Sequence, residues 1–576
     1  LLKRTDSLYH IFVGNNQKSR SRHWRDFQTK IPQYPNVKYG IFSIQIRVKS
    51  NYFNIRIKTM NGAEVILKTA ASAGVDVCFA NAGTTEMPIA VAFDEMPTIR
   101  PILGLFEGVC TGAADGYGRM KNKPAMTLLH LGPGLGNGIA NLHNARRAHS
   151  PVFNVVGDHA SWHLSSDAPL TMDIAALSNT VSGWQRINRS TENLSQDTAD
   201  AITAALYGQV STLIVPNDFQ WSEYPDHELA KVNFSLDPID RHRIEVAARA
   251  LKTARKPAII MNGRGLREQG LKAAGRIKAL TGCDLLSVMF PAYMDRGAGL
   301  PAPMRIPYFP EQAIPWLLPY DTVILAGTDA PVAFFGYRNG KSSLLSESVN
   351  ALRIDTDRQN TIEALEALAD ALDAPARGTD VRAVYARYRV PDNPLGKLTA
   401  EKACTTVAAL HPENAIMVEE GLTSTGTYFP IAANLAPHVY ITITGGAIGQ
   451  GMPCATGTAF ACPDRPVINL QADGSAMYTL QALWTQAREQ LNVTTLICSN
   501  RSYKILQAEL MRAGHTSAGP KVLSLTDLRN PAIDWVQLSQ GMGVPGVAVE
   551  TCEHLAKELK IALQEPGPHL IEMILG

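Results

Sequence analysis

The chain contains no run of 18 or more apolar residues, so its sequence offers no membrane-spanning helix. A dominant sign of charge is missing as well. The 54 Lys and Arg nearly balance 52 Asp and Glu, which gives no support to a clustered basic face for nucleic acid. The cysteines, at positions 78, 110, 283, 404, 454, 462, 498 and 552, form no C-x-x-C or other metal-type pair. Most lie in apolar runs such as DVCFA and LICSN, and read as buried free thiols of a reducing, cytoplasmic compartment. Low-complexity tracts and short-period repeats are absent too. What remains is 576 residues, 45% hydrophobic and 18% charged, the composition of a globular protein of several domains.

Acidic residues are scarce in one place. Residues 1–59 are rich in Lys and Arg and hold only Asp6 and Asp26 as acids. An Arg- and Ser-rich leader of this kind has the composition of a transit peptide, while YGIFSIQIRVKSNYFNIRIK alternates like strand. The expectation is an extension outside the enzyme fold, which starts near Met60. From there strands and helices alternate in three units, 60–228, 240–375 and 398–576. Alternation of this kind predicts an α/β protein with three doubly wound parallel sheets, the middle one Rossmann-like. GRGLREQG in the middle unit reads as a tight turn, because no acidic partner for a dinucleotide follows it.

The third unit carries a pattern with chemistry in it. VINLQ and VTTLIC are apolar strands, and SAMYTLQALWTQAREQ between them has helical spacing, with Leu480, Leu483, Trp484 and Ala487 on one face. A βαβ crossover makes the two strands parallel, so Asp473 and Asn500 both fall at carboxyl ends, where open α/β sheets bind ligands. Carboxylate and amide oxygens are hard donors suited to Mg²⁺. Gly474 and Ser475 open the expected helix, whose free N–H groups favour an anion. A metal-bridged diphosphate fits this arrangement.

Ala472-Asp473-Gly474 followed by Ser499-Asn500 resembles the cofactor motif of thiamine-diphosphate enzymes, with Gly-Asp-Gly and Asn-Asn each altered at one position. The resemblance implies thiamine diphosphate and Mg²⁺ as cofactors, with Asp473, Asn500 and the backbone carbonyl of Ser502 as metal ligands. TGGAIGQGMPCATG resembles the family's segment that bends the cofactor, with Ile448 as the apolar wedge and Gly446 beside it. EEGLTSTG resembles the diphosphate loop, which implies contacts from Thr423 and Ser424. In ILGLFEGVCTGAADGYGRM, Glu107 matches the glutamate that activates the cofactor through its pyrimidine ring to give a C2 ylid. Its neighbours Leu105, Phe106 and Val109 predict poor solvation and a raised pKa. The order implied is pyrimidine-binding domain, central domain and diphosphate-binding domain. A homodimer or homotetramer follows, because Glu107 of one subunit meets Asp473 and Asn500 of another in this family.

Two subgroups are similar. Acetolactate synthase large subunits share the plan and Gly132-Pro133-Gly134. Benzoylformate decarboxylase resembles Asn81–Pro88 and Leu129–Asn137, which implies active-site roles for Thr84 and His130. His159 and His163, in GDHASWHLSSD, are further candidates for proton transfer. The expected activity is decarboxylation of a 2-oxo acid, with or without carboligation. Two other readings stand beside it. One is a flavin- or nicotinamide-linked oxidoreductase using the central domain. The other is a catalytically silent homologue, for which Ala472 and Ser499 are the only support.

Overall fold

A computed structural model describes residues 41–48, 51–225, 228–338, 340–376, 378–515 and 519–576. The leader over residues 1–40 lies outside the described residues. The chain divides into two compact units, Leu1–Thr59 and Met60–Gly576. Described in the first is an antiparallel hairpin of β1 (Ile41–Val48) and β2 (Asn51–Lys58).

The second unit is mixed α/β with three sheets in which parallel pairing dominates. The first sheet contains β3 (Val77–Asn81), β4 (Arg100–Leu103), β5 (Ala125–Leu129), β6 (Val152–Asp158), β7 (Trp184–Ile187) and β8 (Val210–Pro216). Its order is β4-β3-β5-β6-β8-β7, parallel throughout. β5, β6 and β8 are buried along their whole length, as continuous apolar runs predict for a sheet covered on both faces. The central sheet has β9 (Pro257–Met261), β10 (Asp284–Ser287), β12 (Met304–Arg305), β13 (Thr322–Ala326) and β14 (Asn350–Arg353) in the order β12-β10-β9-β13-β14.

One short strand of the middle segment leaves its own sheet. β11 (Met294–Arg296) pairs antiparallel with β16 (His438–Thr442) at the edge of the third sheet. The rest of that sheet is β15 (Ile416–Glu420), β17 (Val467–Ala472), β18 (Val493–Ser499), β19 (Gly546–Val549) and β20 (His569–Ile574). The order is β11-β16-β15-β17-β18-β20-β19.

Two helices cross closely enough to lock the first sheet to the third. These are α1 (Glu107–Lys121), and α3 (Gly451–Ala461), which follows α2 (Leu131–Arg147) in the chain. A Cβ on Gly457 would lie 1.8 Å from the Ala113 carbonyl oxygen, and one on Gly116 would lie 2.1 Å from that of Cys454. Beside the crossing, buried Arg119 grips Asp115 with two hydrogen bonds of 2.8 and 2.6 Å. It also donates to Thr442 O at 2.7 Å, and Asp115 accepts from Gln450 at 2.9 Å, so one ion pair reaches both sheets. Full satisfaction of this kind is what makes a buried charge pair tolerable.

The helix expected over residues 475–490 is not continuous. α4 (Asp473–Ala476) covers four residues, a turn follows, and α5 (Ala482–Arg488) resumes. The Thr479 hydroxyl donates to Gly449 O at 2.8 Å, and Tyr478 packs where a Gly449 side chain would be. Contact with the 446–449 loop therefore overrides the helical period. Only Leu483 of the predicted apolar face is fully buried, and Leu480, Trp484 and Ala487 are half-buried. A four-residue helix brings little dipole to an anion, because helical partial charge builds over several turns.

All eight cysteines are free, and seven are buried. Among the described residues no helix is long and apolar enough to cross a membrane. Beneath β16, the His411 and His438 rings lie 4.5 Å apart, His411 shares a 2.9 Å hydrogen bond with Tyr428, and both Nε2 atoms are buried without a partner. Burial, reinforced by the Arg296 charge, pushes His411 from 6.5 down to about 4.

Replacing Gly457 with Ala is expected to lower stability by about 1–3 kcal/mol or more, since the crossing backbone cannot yield. An unchanged urea midpoint would refute the close crossing. His411 is neutral when folded and takes a proton more readily when unfolded. Its contribution is therefore fully present above pH 6.5 and is lost as pH falls from 6.5 toward about 4. The loss is at most about 3 kcal/mol. His411→Gln should flatten the fall of unfolding free energy between pH 6.5 and 4, and an equal slope in both proteins would count against the assignment.

Candidate functional site

Four adjacent strands of the first sheet end on candidate residues. Thr84 follows β3, Glu107 follows β4, His130 follows β5 and His159 follows β6. Carboxyl ends of neighbouring parallel strands thus put all four on one edge. Glu107 is half-buried and accepts from Asn137 Nδ2 at 3.0 Å, with Oε1 toward Gly134. Of its apolar flank, Val109 is buried, Phe106 is half-buried and Leu105 is exposed. The three residues do not enclose the carboxylate within one chain.

His130 is held from behind. Its Nδ1 lies 2.8 Å from Glu86 Oε2 and 3.2 Å from Thr85 Oγ1. Glu86 is fully buried and also accepts from Gly83 N at 2.8 Å and from the Thr85 hydroxyl at 2.5 Å. A carboxylate on Nδ1 favours the tautomer with its proton there and turns Nε2 outward. The neighbouring Thr85, not Thr84, touches the imidazole, and Thr84 is exposed at the rim. His159 and His163 stack edge to face at 5.4 Å, and His163 stacks in turn on Trp162, which is 71% exposed.

The third sheet repeats the plan. Thr423 and Ser424 follow β15, Gly446 and Ile448 follow β16, Asp473 follows β17 and Asn500 follows β18. Asp473 is buried and accepts from Gly474 N at 2.8 Å and Arg501 N at 2.6 Å. Burial pushes its carboxyl up to about 6 against those two bonds, and among the described residues no Lys, Arg or His pairs with it. Asn500 donates to Ser424 Oγ at 3.0 Å and accepts from Ser502 N at 2.9 Å, and the Ser502 hydroxyl is buried with no partner. Ser475 is buried beside them. Among the described residues, no group of three or more His, Cys, Asp or Glu could hold a metal by itself. A cation at Asp473 and Asn500 therefore needs further oxygens, from carbonyls and from a phosphorylated ligand. A buried carboxylate without a cation and an unbonded hydroxyl beside it fit that need.

Adjacent glutamates at the end of β15 brace the two loops. Glu419 accepts from Gly421 N at 3.1 Å, Leu422 N at 3.2 Å and the Thr425 hydroxyl, fixing the turn that bears Thr423 and Ser424. Glu420 accepts from Gly449 N at 2.6 Å, Gly451 N at 2.5 Å and Gln471 at 3.0 Å, fixing the loop of Ile448. Burial raises the Glu420 carboxyl above its ordinary range. Left-handed backbone at Leu131, Leu422 and Arg501 adjoins His130, Thr423 and Asn500. Such conformations cost about 1–3 kcal/mol each in non-glycine residues and gather at ligand sites.

Thr423, Gly446 and Ile448 open on a cavity of about 780 Å³. Its walls include Phe290, Tyr308, Phe309, Phe334 and Phe335 from the middle segment, and Ile505 and Leu506 from α6 (Lys504–Arg512). At the carboxyl edge of the central sheet, by contrast, the cavity measures about 110 Å³. That is below the roughly 300–1,000 Å³ of small-molecule sites, so the structure does not favour an oxidoreductase there.

Within one chain α2 runs between His130 and the Ile448 loop, while the start of α1 lies against that loop, with Asn141 donating to Gly108 O at 2.8 Å. α2 follows His130, and its Asn144 donates to Ala447 O at 2.7 Å, with Asn141 reaching Gly449 O at 3.3 Å. His130 and the Ile448 loop are thus separated by eleven or more residues of helix, roughly 16 Å. Glu107 lines no part of the large cavity. The sequence reading missed Glu86, the aromatic wall, and Arg296 and Arg305 in the same cavity. The Phe334-Phe335 doublet and the acid-free stretch from Arg296 to Pro310 were available signals.

Comparison with known proteins accords with this geometry. Residues 60–177 match the model of the N-terminal TPP binding domain of thiamine pyrophosphate enzymes, and residues 411–573 match that of the C-terminal TPP binding domain. The chain is 46% identical over 521 residues to "Putative acetolactate synthase large subunit IlvX" of Mycobacterium tuberculosis, a match covering 90% of this chain and 99% of that protein. It is 27% identical over 532 residues to benzoylformate decarboxylase of Pseudomonas aeruginosa, covering 87% and 96%. The solved 4-hydroxybenzoylformate decarboxylase of Rhodococcus jostii RHA1, thiamine diphosphate-dependent, shares the fold with a TM-score of 0.78 at 23% identity, covering 90% and 99%.

Proposed function

The chain belongs to the thiamine-pyrophosphate enzymes, in the group that holds acetolactate synthases and benzoylformate decarboxylases, and we propose from this that it decarboxylates a 2-oxo acid with a bulky side chain. Transfer of the product to a second oxo acid is the alternative outcome at the same site. The observation that carries the reading is the aromatic-walled cavity of about 780 Å³ opening on Thr423, Gly446 and Ile448. A three-carbon acid fills a small part of such a space.

Residues 398–576 form the diphosphate-binding domain in this reading. Asp473, Asn500 and the Ser502 carbonyl would hold Mg²⁺, Thr423, Ser424, Gly474 and Ser475 would hold the diphosphate, and Ile448 would support the ring system. Bound there, thiamine diphosphate supplies a carbon nucleophile for the oxo group and an electron sink for loss of CO2. Residues 60–228 form the pyrimidine-binding domain. Glu107 would carry a proton on its carboxylate against a pyrimidine nitrogen, steadied by Asn137. His130, fixed by Glu86, presents Nε2 as donor or acceptor to the reacting group, with Thr84, His159 and His163 around it. Residues 240–375 form the central domain and supply the substrate wall. Residues 1–59 stand outside the enzyme, a reading supported by their separation as a compact unit and by a family match that begins at residue 60.

A homodimer is the smallest complete unit. Its support is the length of α2 between His130 and the Ile448 loop and the apolar side chains exposed around each edge. Met87, Leu105 and Trp162 lie near the first edge, and Met477, Tyr478 and Leu506 near the third.

The test is CO2 release from pyruvate, 2-oxobutyrate, branched 2-oxo acids and phenylglyoxylate, with and without thiamine diphosphate and Mg²⁺, with the organic product identified. Cofactor-dependent CO2 favouring the bulky substrates supports the reading, and none from any substrate overturns it. Glu107→Gln should cut turnover by about 10²–10⁴-fold while cofactor affinity changes little. Full activity in that variant would remove Glu107 from proton transfer. Asp473→Ala should weaken Mg²⁺-dependent cofactor binding by more than the roughly 10–100-fold typical of outer-shell changes, and unaltered affinity would sink the metal assignment.

A further inference from the structure

Two arginines in the wall of the large cavity have no carboxylate partner among the described residues. Arg296, on β11, is 3% exposed. Its Nη2 donates to Phe429 O at 2.7 Å, and its guanidinium lies 3.7 Å from the centre of the Phe429 ring. Its Nη1 is buried and bonded to nothing. Arg305, on β12, is half-exposed, stands 4.5 Å from the same ring, and reaches Tyr440 Oη only across 3.4 Å.

The nearby acids are occupied. Glu419 receives two backbone N–H groups and the Thr425 hydroxyl on Oε1, and the Tyr440 hydroxyl at 3.2 Å on Oε2. Glu509 takes Arg512 at 2.7 Å and the Tyr337 hydroxyl at 3.1 Å. Burial lowers Arg296 to about 10, which leaves it charged at neutral pH. The histidines behind it, His411 and His438, are held neutral by the same burial. Two like charges over one aromatic ring repel each other, and a ring face offsets only part of a buried cation's desolvation. Planar guanidinium forks with N–H groups to spare, in an apolar cavity, match the geometry of a carboxylate.

We propose that Arg305, backed by Arg296, forms a carboxylate subsite remote from the carbon that reacts. Its ligand is the far carboxylate of a dicarboxylic 2-oxo acid or the carboxylate of a second 2-oxo acid acting as acceptor. Naming the ligand an oxo acid rests on the function proposed above, and the subsite itself does not. The aromatic wall holds the stem between the reacting end and the anion.

Binding of 3-phenylpropanoate and of its uncharged amide to the holoenzyme, measured by calorimetry, tests the subsite without turnover. Wild type should prefer the carboxylate. Arg305→Gln should weaken the carboxylate roughly tenfold to hundredfold and the amide far less, with Arg305→Lys recovering part of the loss. Equal binding of the two probes by wild type, or an unchanged carboxylate affinity in Arg305→Gln, overturns the proposal. Kinetics then separates the two sources. A far carboxylate on the donor predicts that Arg305→Gln lowers kcat/KM at least tenfold more for 2-oxoglutarate than for phenylglyoxylate. An acceptor predicts that it lowers the yield of hydroxy-oxo acid relative to CO2. If both ratios stay fixed, the subsite serves neither role and the proposal falls. A carboxylate preference that depends on Arg305, with no CO2 from any oxo acid, would sustain the subsite and overturn the decarboxylase reading.

Discussion

The crossing of α1 over α3 sets the geometry of both candidate edges in this chain. Glycines at positions 116 and 457 let the two helix backbones touch, and Asp115–Arg119 ties the contact to β16 and to Gln450 at the start of α3. α1 begins with Glu107, and α3 begins three residues after Ile448. The packing that fixes the helices thus also fixes both candidate edges. Burying a charge pair at such a place gains little stability by itself, but with its hydrogen bonds filled it specifies one arrangement of the sheets.

Much of this was legible in the sequence because parallel sheets write themselves plainly. Strands covered on both faces appear as short apolar runs, and a residue just past such a run lies on the ligand edge. Glu107, His130, Asp473 and Asn500 could each be placed that way. Glu86 could not, since its role depends on the loop after β3 meeting the end of β5, a proximity no local pattern records. The helix over residues 475–490 was misread because periodicity reports a buried face and says nothing of a loop pressing on the chain at Gly449. Arg296 escaped for a related reason. β11 comes from the middle segment and joins the third sheet, which carries Arg296 into the cavity wall.

The two edges also differ in chemical character. The first is a set of proton-carrying side chains held by one another, with Glu86 behind His130 and Asn137 beside Glu107. The third is a set of oxygen donors and backbone turns held by buried carboxylates. One suits moving protons and the other suits holding a charged ligand still. α2 spans the distance between His130 and the Ile448 loop, and its Asn141 ties Gly108 to Gly449.

Glu419 and Glu420 sit side by side on a strand flanked by β16 and β17, and successive side chains of a strand face opposite ways. Each serves a different loop. The strand acts as a key with one tooth on either side, cut for locks that share no other part. Lengthening or shortening β15 by a single residue would turn both teeth the wrong way together, disengaging the Thr423 turn and the Ile448 loop in one step. Length, more than composition, is what lets this segment hold both loops.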